Sequence, residues 1–402
     1  MSSPALPVRS RANRPTLAGV AASVRRDLEA RHRPHGTILD PVFETPTSLR
    51  IAWYTRAGDS AIWTGHYLAA ETYRWVATAA PDALENIRTL IGALSRLVTV
   101  TGSNQLARVA VPADSPWAAD IAREEDHSGV WSGSADGHEM IWVGNTSRDL
   151  YLGVFFGLSV AYEWVVDEEL RSWIRDVVTR ALDRLLSNSW AVVNPDGGIA
   201  TTFLHRVDQR LALLQVGRQV YDERFSSPYR RERFLGSAGV MAPILAEIAD
   251  AHSSYFKFNL VAIGMFMLIR SELSETHRDR YLSAYRMYRK TVDDHGNAHF
   301  NMIDRTLEGA EQRRDDETRS LLEQWTHRPR RDYGIDWRGS VAQCGENRAC
   351  EPLPVVDRVR TDFVWQRSPF QMVGGGDGYI ETAGVDFLLP YWMGRAYGVI
   401  PR

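Results

Sequence analysis

Two adjacent stretches, DSAIWTGHYLAAETYRWVAT at residues 59–78 and PDALENIRTLIGALSRLVTVT at residues 81–101, decide how the chain is read. The first is glycine- and aromatic-containing and apolar on most faces, and a helix of that kind must be surrounded by protein. Asp59 or Ser60 is its expected N-cap. The second opens on Pro81, which suits a first helical turn because the missing N–H would have no partner there. Its Leu84, Ile87, Ile91, Leu94 and Val98 form one stripe against a polar back. Together they predict a helical hairpin with an inner and an outer helix.

The same order returns along the chain. Residues 147–165 (SRDLYLGVFFGLSVAYEWV) are apolar and rich in small residues all round, whereas residues 167–187 carry Leu170, Ile174, Val177, Ala181, Leu182 and Leu185 on one face. Three further pairs follow: 206–221 with 232–252, 255–272 with 276–294, and 297–307 with 316–327. The helix at 16–32 has no partner before it and the apolar segment 385–399 has none after it. Pairing them closes a sixth hairpin, with a kink expected at Pro390. The twelve helices then make a ring in which the inner ones run parallel.

Inner-to-outer turns are short, while the connections 102–146, 188–204 and 328–384 are long and gather at one mouth of the ring. They carry Trp117, Trp131, Trp142, Trp190, Trp337 and Trp365, residues that disordered segments seldom hold. Residues 105–111 and 355–365 alternate enough to predict short strands, a small sheet over that mouth. With no Gly/Ser linker, the 402 residues read as one domain, preceded by a disordered tail at 1–15.

A formal charge of −3 from 47 basic and 50 acidic residues provides no global field for nucleic acid or an anionic membrane. Lys257 and Lys290 are the only lysines, and the arginine excess reads as a composition bias. Thirteen tryptophans and fifteen tyrosines exceed what a core needs, so some should line a groove. No apolar run reaches the ~20 residues of a membrane span, and the first fifteen residues lack a signal-peptide core. A cytoplasmic location is the default expectation, an exported one if a leader precedes this chain. Cys344 and Cys350 enclose GENRA and either close a small disulfide or stay reduced; no further ligand nearby suggests zinc.

In its helix order, in GDSAIWTGHYLAAETYRW and SRDLYLGVFFGLSVAYEWV, and in the turn Asp196-Gly197-Gly198, the chain resembles the (α/α)6-toroid proteins. That six-hairpin superfamily includes glycoside hydrolases, polysaccharide lyases and sugar epimerases. The resemblance implies an all-α fold of helical hairpins and an oligo- or polysaccharide substrate, by analogy of fold. It transfers no catalytic motif residue by residue.

The N-terminal ends of parallel inner helices converge, and this selects the candidate residues. Asp59 and His66 lie two helical turns apart and face the lumen together, with Trp63 between them and Tyr67 beside. Asp59 reads equally as an N-cap, and His66 as a core histidine. Arg148, Asp149 and Tyr151 open the second inner helix, where Asp149 also suits the helix dipole. Glu124 belongs to an acidic run that continues through Glu125, Asp126 and His127 and is followed by Trp131 and Trp142. His205 precedes the third inner helix. Asn297 and Asn301 share one face of the fifth, so either they or His299 look into the lumen.

Glycoside hydrolysis needs two carboxyls, one protonated and one ionised. Asp59, Asp149 and Glu124 are the candidates; Asp196 is better explained by its turn. A uronate lyase or an epimerase would need a histidine or tyrosine base, such as His66, His205 or His299, with Arg148 stabilising an anion. A non-catalytic glycan- or peptide-binding ring is the third reading. Walker, GxSxG and HExxH motifs are absent, and GGGDG at 374–378 opens no helix, so no metal or other cofactor is expected.

Overall fold

The computed structural model describes residues 16–236, 239–249 and 254–401; the tail expected at 1–15 lies outside them. The protein is mainly helical, 56% helix with fourteen helices among the described residues, and small antiparallel sheets lie between them. In chain order the helices begin with α1 (Leu17–Arg31), α2 (Ser60–Thr78), α3 (Pro81–Thr99), α4 (Ala118–Glu124), α5 (Arg148–Trp164), α6 (Glu168–Ser187) and α7 (Val207–Val220). They continue with α8 (Asp222–Gly236), α9 (Met241–Ala249), α10 (Lys257–Arg270), α11 (Glu275–Thr291), α12 (Ala298–Glu308), α13 (Gln312–Trp325) and α14 (Val385–Ala396).

The patterning explains the packing. From Ser60 to Arg74 every residue of α2 is buried, whereas α3 buries one face through Ile87, Leu90, Ile91, Leu94, Leu97 and Val98. The expected partners are in contact, α2 with α3, α5 with α6, α10 with α11, α12 with α13, and α1 with α14, while α7 packs on both α8 and α9. The apolar helices also touch one another in succession, α2 with α5, α5 with α7, α7 with α10, α10 with α12, α12 with α14, and α14 with α2.

The closest of these contacts is made by glycine. A Cβ on Gly65 would lie 2.0 Å from the carbonyl oxygen of Gly153, and one on Gly157 2.2 Å from that of Gly65, so the α2 and α5 backbones touch. At the junction of α1 with the segment entering α14, Glu381 meets Arg31 at 3.0 Å, His32 and Arg330 at 3.3 Å and Arg331 at 3.4 Å. Pro390 lies within α14, which runs from Val385 to Ala396 with Phe387 stacked on Trp325 at 4.7 Å.

Several segments differ from the sequence expectation: α4 lies inside the connection 102–146, expected to hold no helix, and the strand expected at 105–111 covers Val109–Pro112. The single outer helix expected at 232–252 is replaced by α8 and α9, and residues 250–252 lie outside the described ones. The start of α8 was hidden by Pro228 and a run of charge, yet Phe225 and Tyr229, one turn apart, are fully buried and pin it. Helix α13 begins at Gln312 rather than 316. The strand expected around 355–365 is absent: Val355–Asp357 is a 3₁₀ turn, and Phe363, Val364 and Trp365 are buried in succession, without the alternation of a strand.

The strands form hairpins between the helices. β1 (Asp40–Phe43) pairs with β2 (Ile51–Thr55), and β6 (Ala191–Val193) with β7 (Ile199–Thr202). Between them in sequence, β3 (Val109–Pro112), β4 (Val130–Ala135) and β5 (His138–Val143) make a three-stranded sheet in the order β3-β5-β4. Trp131 lies opposite Trp142 and stacks on it with centroids 4.9 Å apart. Cys344 and Cys350 form a disulfide.

Candidate functional site

The segments entering α2 and α5 each contain a left-handed residue, Arg56 at φ 58° and Asn145 at φ 50°. Such backbone is unfavourable for a side chain and needs support from its surroundings. Arg108 supplies it to both. Its Nη1 donates to the carbonyl of Gly58 at 3.0 Å, while Nε and Nη2 donate to that of Asn145 at 3.0 and 2.9 Å. Glu125 completes the first turn by accepting from the Gly58 N–H at 2.7 Å and from Ser128 Oγ at 3.2 Å.

These turns deliver Asp59 and Asp149 to one pocket. Asp59 ends a short 3₁₀ turn and makes no side-chain capping bond to α2, so the usual reason for an aspartate at a helix start does not apply. The pocket has a volume of about 180 Å³ and is lined by Asp59, Ile62, Trp63, Asp149, Phe256, Asn259, Leu260 and Gln366. A narrow extension passes Asp59, Trp63 and Gln366 toward Asp40, Arg56, Asp362, Phe363 and Thr382.

Beneath it lies an aromatic floor. Trp63 meets His66 edge-on at 5.3 Å and Phe363 at 5.0 Å, and His66 lies 5.4 Å from both Phe156 and Trp365 and 6.1 Å from His299. The Nδ1–H of His66 donates to the Ile62 carbonyl at 2.8 Å, since a carbonyl can only accept. Its Nε2 therefore accepts, and the amide nitrogen of Asn259 donates to it at 3.1 Å. That contact fixes which way the Asn259 amide points. The Asn259 Oδ1, both ring nitrogens of His299 and the Trp365 Nε1 are buried without a hydrogen-bond partner.

The electrostatics divide the site in two. Asp59 is exposed to the open pocket yet surrounded by protein, and the partial loss of hydration pushes it up to about 6; Arg108 opposes this, while the charges of Asp149, Asp362 and Glu125 add to it. Asp149 is also raised, by burial that outweighs Arg148, Arg206 and Arg108. Burial lowers His66 to about 4 and takes His299 well below the ordinary histidine range, with His66 adding to the latter shift. The floor is thus neutral at physiological pH, and proton chemistry belongs to the carboxyls.

Of the residues read from the sequence, Asp59, Trp63 and Asp149 line the pocket and His66 lies under it. Glu124 does not line it: this glutamate accepts from Thr55 Oγ1 and, at 3.4 Å, from the Arg56 N–H, so it braces the turn that carries Asp59. His205 is exposed before α7, and Arg148 donates to the Thr202 carbonyl at 3.0 Å. Tyr67 is buried and donates to Glu29 at 2.6 Å, and Tyr151 accepts from the Leu106 N–H at 3.2 Å. Trp142 is buried and Trp131 stacks on it.

Asn297 caps α12 by accepting from the N–H of His299 and of Phe300, and Asn301 bonds Arg289 and Glu317. His299, not the asparagine pair, joins the aromatic cluster of His66 and Trp365. Asp196 accepts from the Gly198 N–H at 2.9 Å within its turn. Sequence reasoning missed Phe256, Asn259, Leu260, Gln366 and the bracing Arg108. Asn259 had a signal, a lone amide in the apolar stretch KFNLVAIGMFMLIR.

A larger, open groove of about 700 Å³ lies on the flank between α3, the β4–β5 hairpin and Trp173. Its Arg33, Arg88 and Arg96 are each paired with carboxylates. Among the described residues no group of three or more His, Cys, Asp or Glu is placed to hold a metal ion, and no helix is long and apolar enough to cross a membrane. No protein-family model, curated protein or solved structure matches the chain.

Proposed function

We propose that this chain is a carbohydrate-active enzyme, a glycoside hydrolase built as an (α/α)6 toroid, with Asp59 and Asp149 as its paired carboxyls. The observation that carries the reading is that two carboxyls from the starts of neighbouring apolar helices line one pocket beside Trp63, with Asp59 pushed up to about 6. The unbroken succession of contacts from α2 through α14 and back to α2 supports the ring.

The roles follow from the surroundings. Asp59, pushed up to about 6 and so holding its proton in mildly acidic solution, is the general acid that protonates the leaving oxygen. Asp149 is raised as well, but Arg148, Arg206 and Arg108 all oppose that rise where Asp59 has Arg108 alone, and on that difference Asp149 is assigned the base or nucleophile. Trp63 and Phe256, the latter 42% exposed at the rim, offer aromatic faces to a sugar ring. A lyase or epimerase is less well served: His66 has both nitrogens engaged below the pocket, and no cation lines it to stabilise an enolate.

The test is a panel of poly- and oligosaccharides, following new reducing ends together with the ultraviolet absorbance of unsaturated uronates. Reducing ends without absorbance are expected. Absorbance would transfer the reaction to β-elimination. A folded protein silent on every substrate, yet retaining glycan binding, would make it a binding module.

A further inference from the structure

Resting on that reading, we infer that the pocket takes one terminal, uncharged pyranose ring, so that the enzyme removes single sugars from a chain end rather than cutting within a chain. Size is the first argument. At about 180 Å³ the pocket is smaller than the ~300–1,000 Å³ of sites for larger ligands. His66, Phe156, His299 and Trp365 fill the space beneath Trp63 in mutual contact, so a polysaccharide cannot thread through.

Charge is the second. The lining contains two carboxyls and no arginine, lysine or histidine, and the Arg56 of the narrow extension is already paired with Asp40 at 3.0 Å. A uronate would bring a third carboxylate against them without a cation to answer it, and like charges at close range repel. An uncharged ring meets no such penalty. With the general acid protonated, the single remaining charge is answered from behind by Arg148, Arg206 and Arg108.

Asn259 is the third and most specific. It is 1% exposed and lines the pocket, and its amide nitrogen is committed to His66. The Oδ1 is left as a buried acceptor with no partner. An orphaned acceptor is costly, and a donor hydroxyl on the bound ring relieves it. His66 is then a positioning residue: by engaging the amide nitrogen it leaves the oxygen as the group that a hydroxyl settling into the pocket has to reach.

The experiment is ligand-detected NMR with methyl pyranosides of glucose, galactose, mannose and xylose, beside methyl glucuronide and methyl glucosaminide, on wild type and Asn259→Leu. At least one uncharged pyranoside should bind best and weaken about tenfold or more in the variant. In wild type, a series of monodeoxy derivatives of that sugar should show one hydroxyl whose removal costs a similar factor; this arm stands even if Asn259→Leu does not fold. The inference is overturned if glucuronide or glucosaminide binds more tightly, if no uncharged pyranoside binds, or if every deoxy derivative binds equally. End-labelled oligosaccharides separate it from the parent reading. Early release of internal fragments would remove the one-ring pocket and keep hydrolysis, whereas pyranoside binding without any cleavage would remove hydrolysis and keep the pocket.

Discussion

Gly65→Ala places a methyl group where two backbones meet. The new Cβ would lie 2.0 Å from the Gly153 carbonyl oxygen and 2.5 Å from its carbon, about 1 Å inside the closest approach that real Cβ atoms make. The obstructing atoms are main chain, so no side chain can rotate away, and α2 and α5 must separate. Overpacking of this kind costs ~1–3 kcal/mol or more, against ~0.5–1 kcal/mol gained by replacing glycine with alanine inside a helix. A net loss of about 2 kcal/mol is expected, read as a lower urea midpoint at unchanged slope. Asp59 and Asp149 ride on these two helices, so a shift of ~1 Å should also cost about 10²-fold in turnover. Gly264→Ala in α10, where no atom lies within 4 Å of the added methyl, should instead be neutral or gain ~0.5–1 kcal/mol. Equal stability of Gly65→Ala and wild type, or equal behaviour of the two variants, would refute the close crossing.

Three other expectations concern charge. Asp59 holds its proton in the folded state up to about pH 6, whereas the unfolded chain releases it near 3.8, so stability should fall as pH rises between those values. Asp59→Asn should flatten that slope in pH-dependent urea unfolding, by ~1 kcal/mol or less because the carboxyl touches solvent; the wild-type activity should decline above about pH 6 as the acid deprotonates. Glu381 is held well below its ordinary range because His32, Arg330 and Arg31 together outweigh the cost of its burial. Glu381→Gln should cost about 3 kcal/mol at neutral pH in urea unfolding, the difference disappearing only well below the usual carboxylate range. Arg108→Leu should loosen the turns at Gly58 and Asn145 and remove the cation that restrains Asp59, moving the alkaline limb of the pH–rate profile upward.

The helices and their pairing were legible because burial imposes a period on the sequence: all-round apolarity in α2 and α5, a single stripe in α3 and α6. That signal failed at α8, where Pro228 and a charged run masked the anchoring Phe225 and Tyr229. In the site, Asp59, Trp63 and Asp149 were legible because they stand at or near the starts of two apolar helices, α2 and α5. Asn259 was not, since its defining partner His66 is 193 residues away and no local pattern records that hydrogen bond. Arg108 and Glu125 were hidden for a related reason, serving backbone groups of turns remote from their own. The acidic run suggested a binding face; instead Glu124 and Glu125 hold the turn that presents Asp59.

The decisive measurement is the rate of reducing-end release by wild type, Asp59→Asn, Asp149→Asn and the double variant on the best uncharged oligosaccharide. Paired carboxyls predict that each single substitution lowers kcat by about 10²-fold or more, and that the double variant is little worse than either, because the two act as one unit. A wild type that releases no reducing ends, or single variants that keep near wild-type rates, would contradict it.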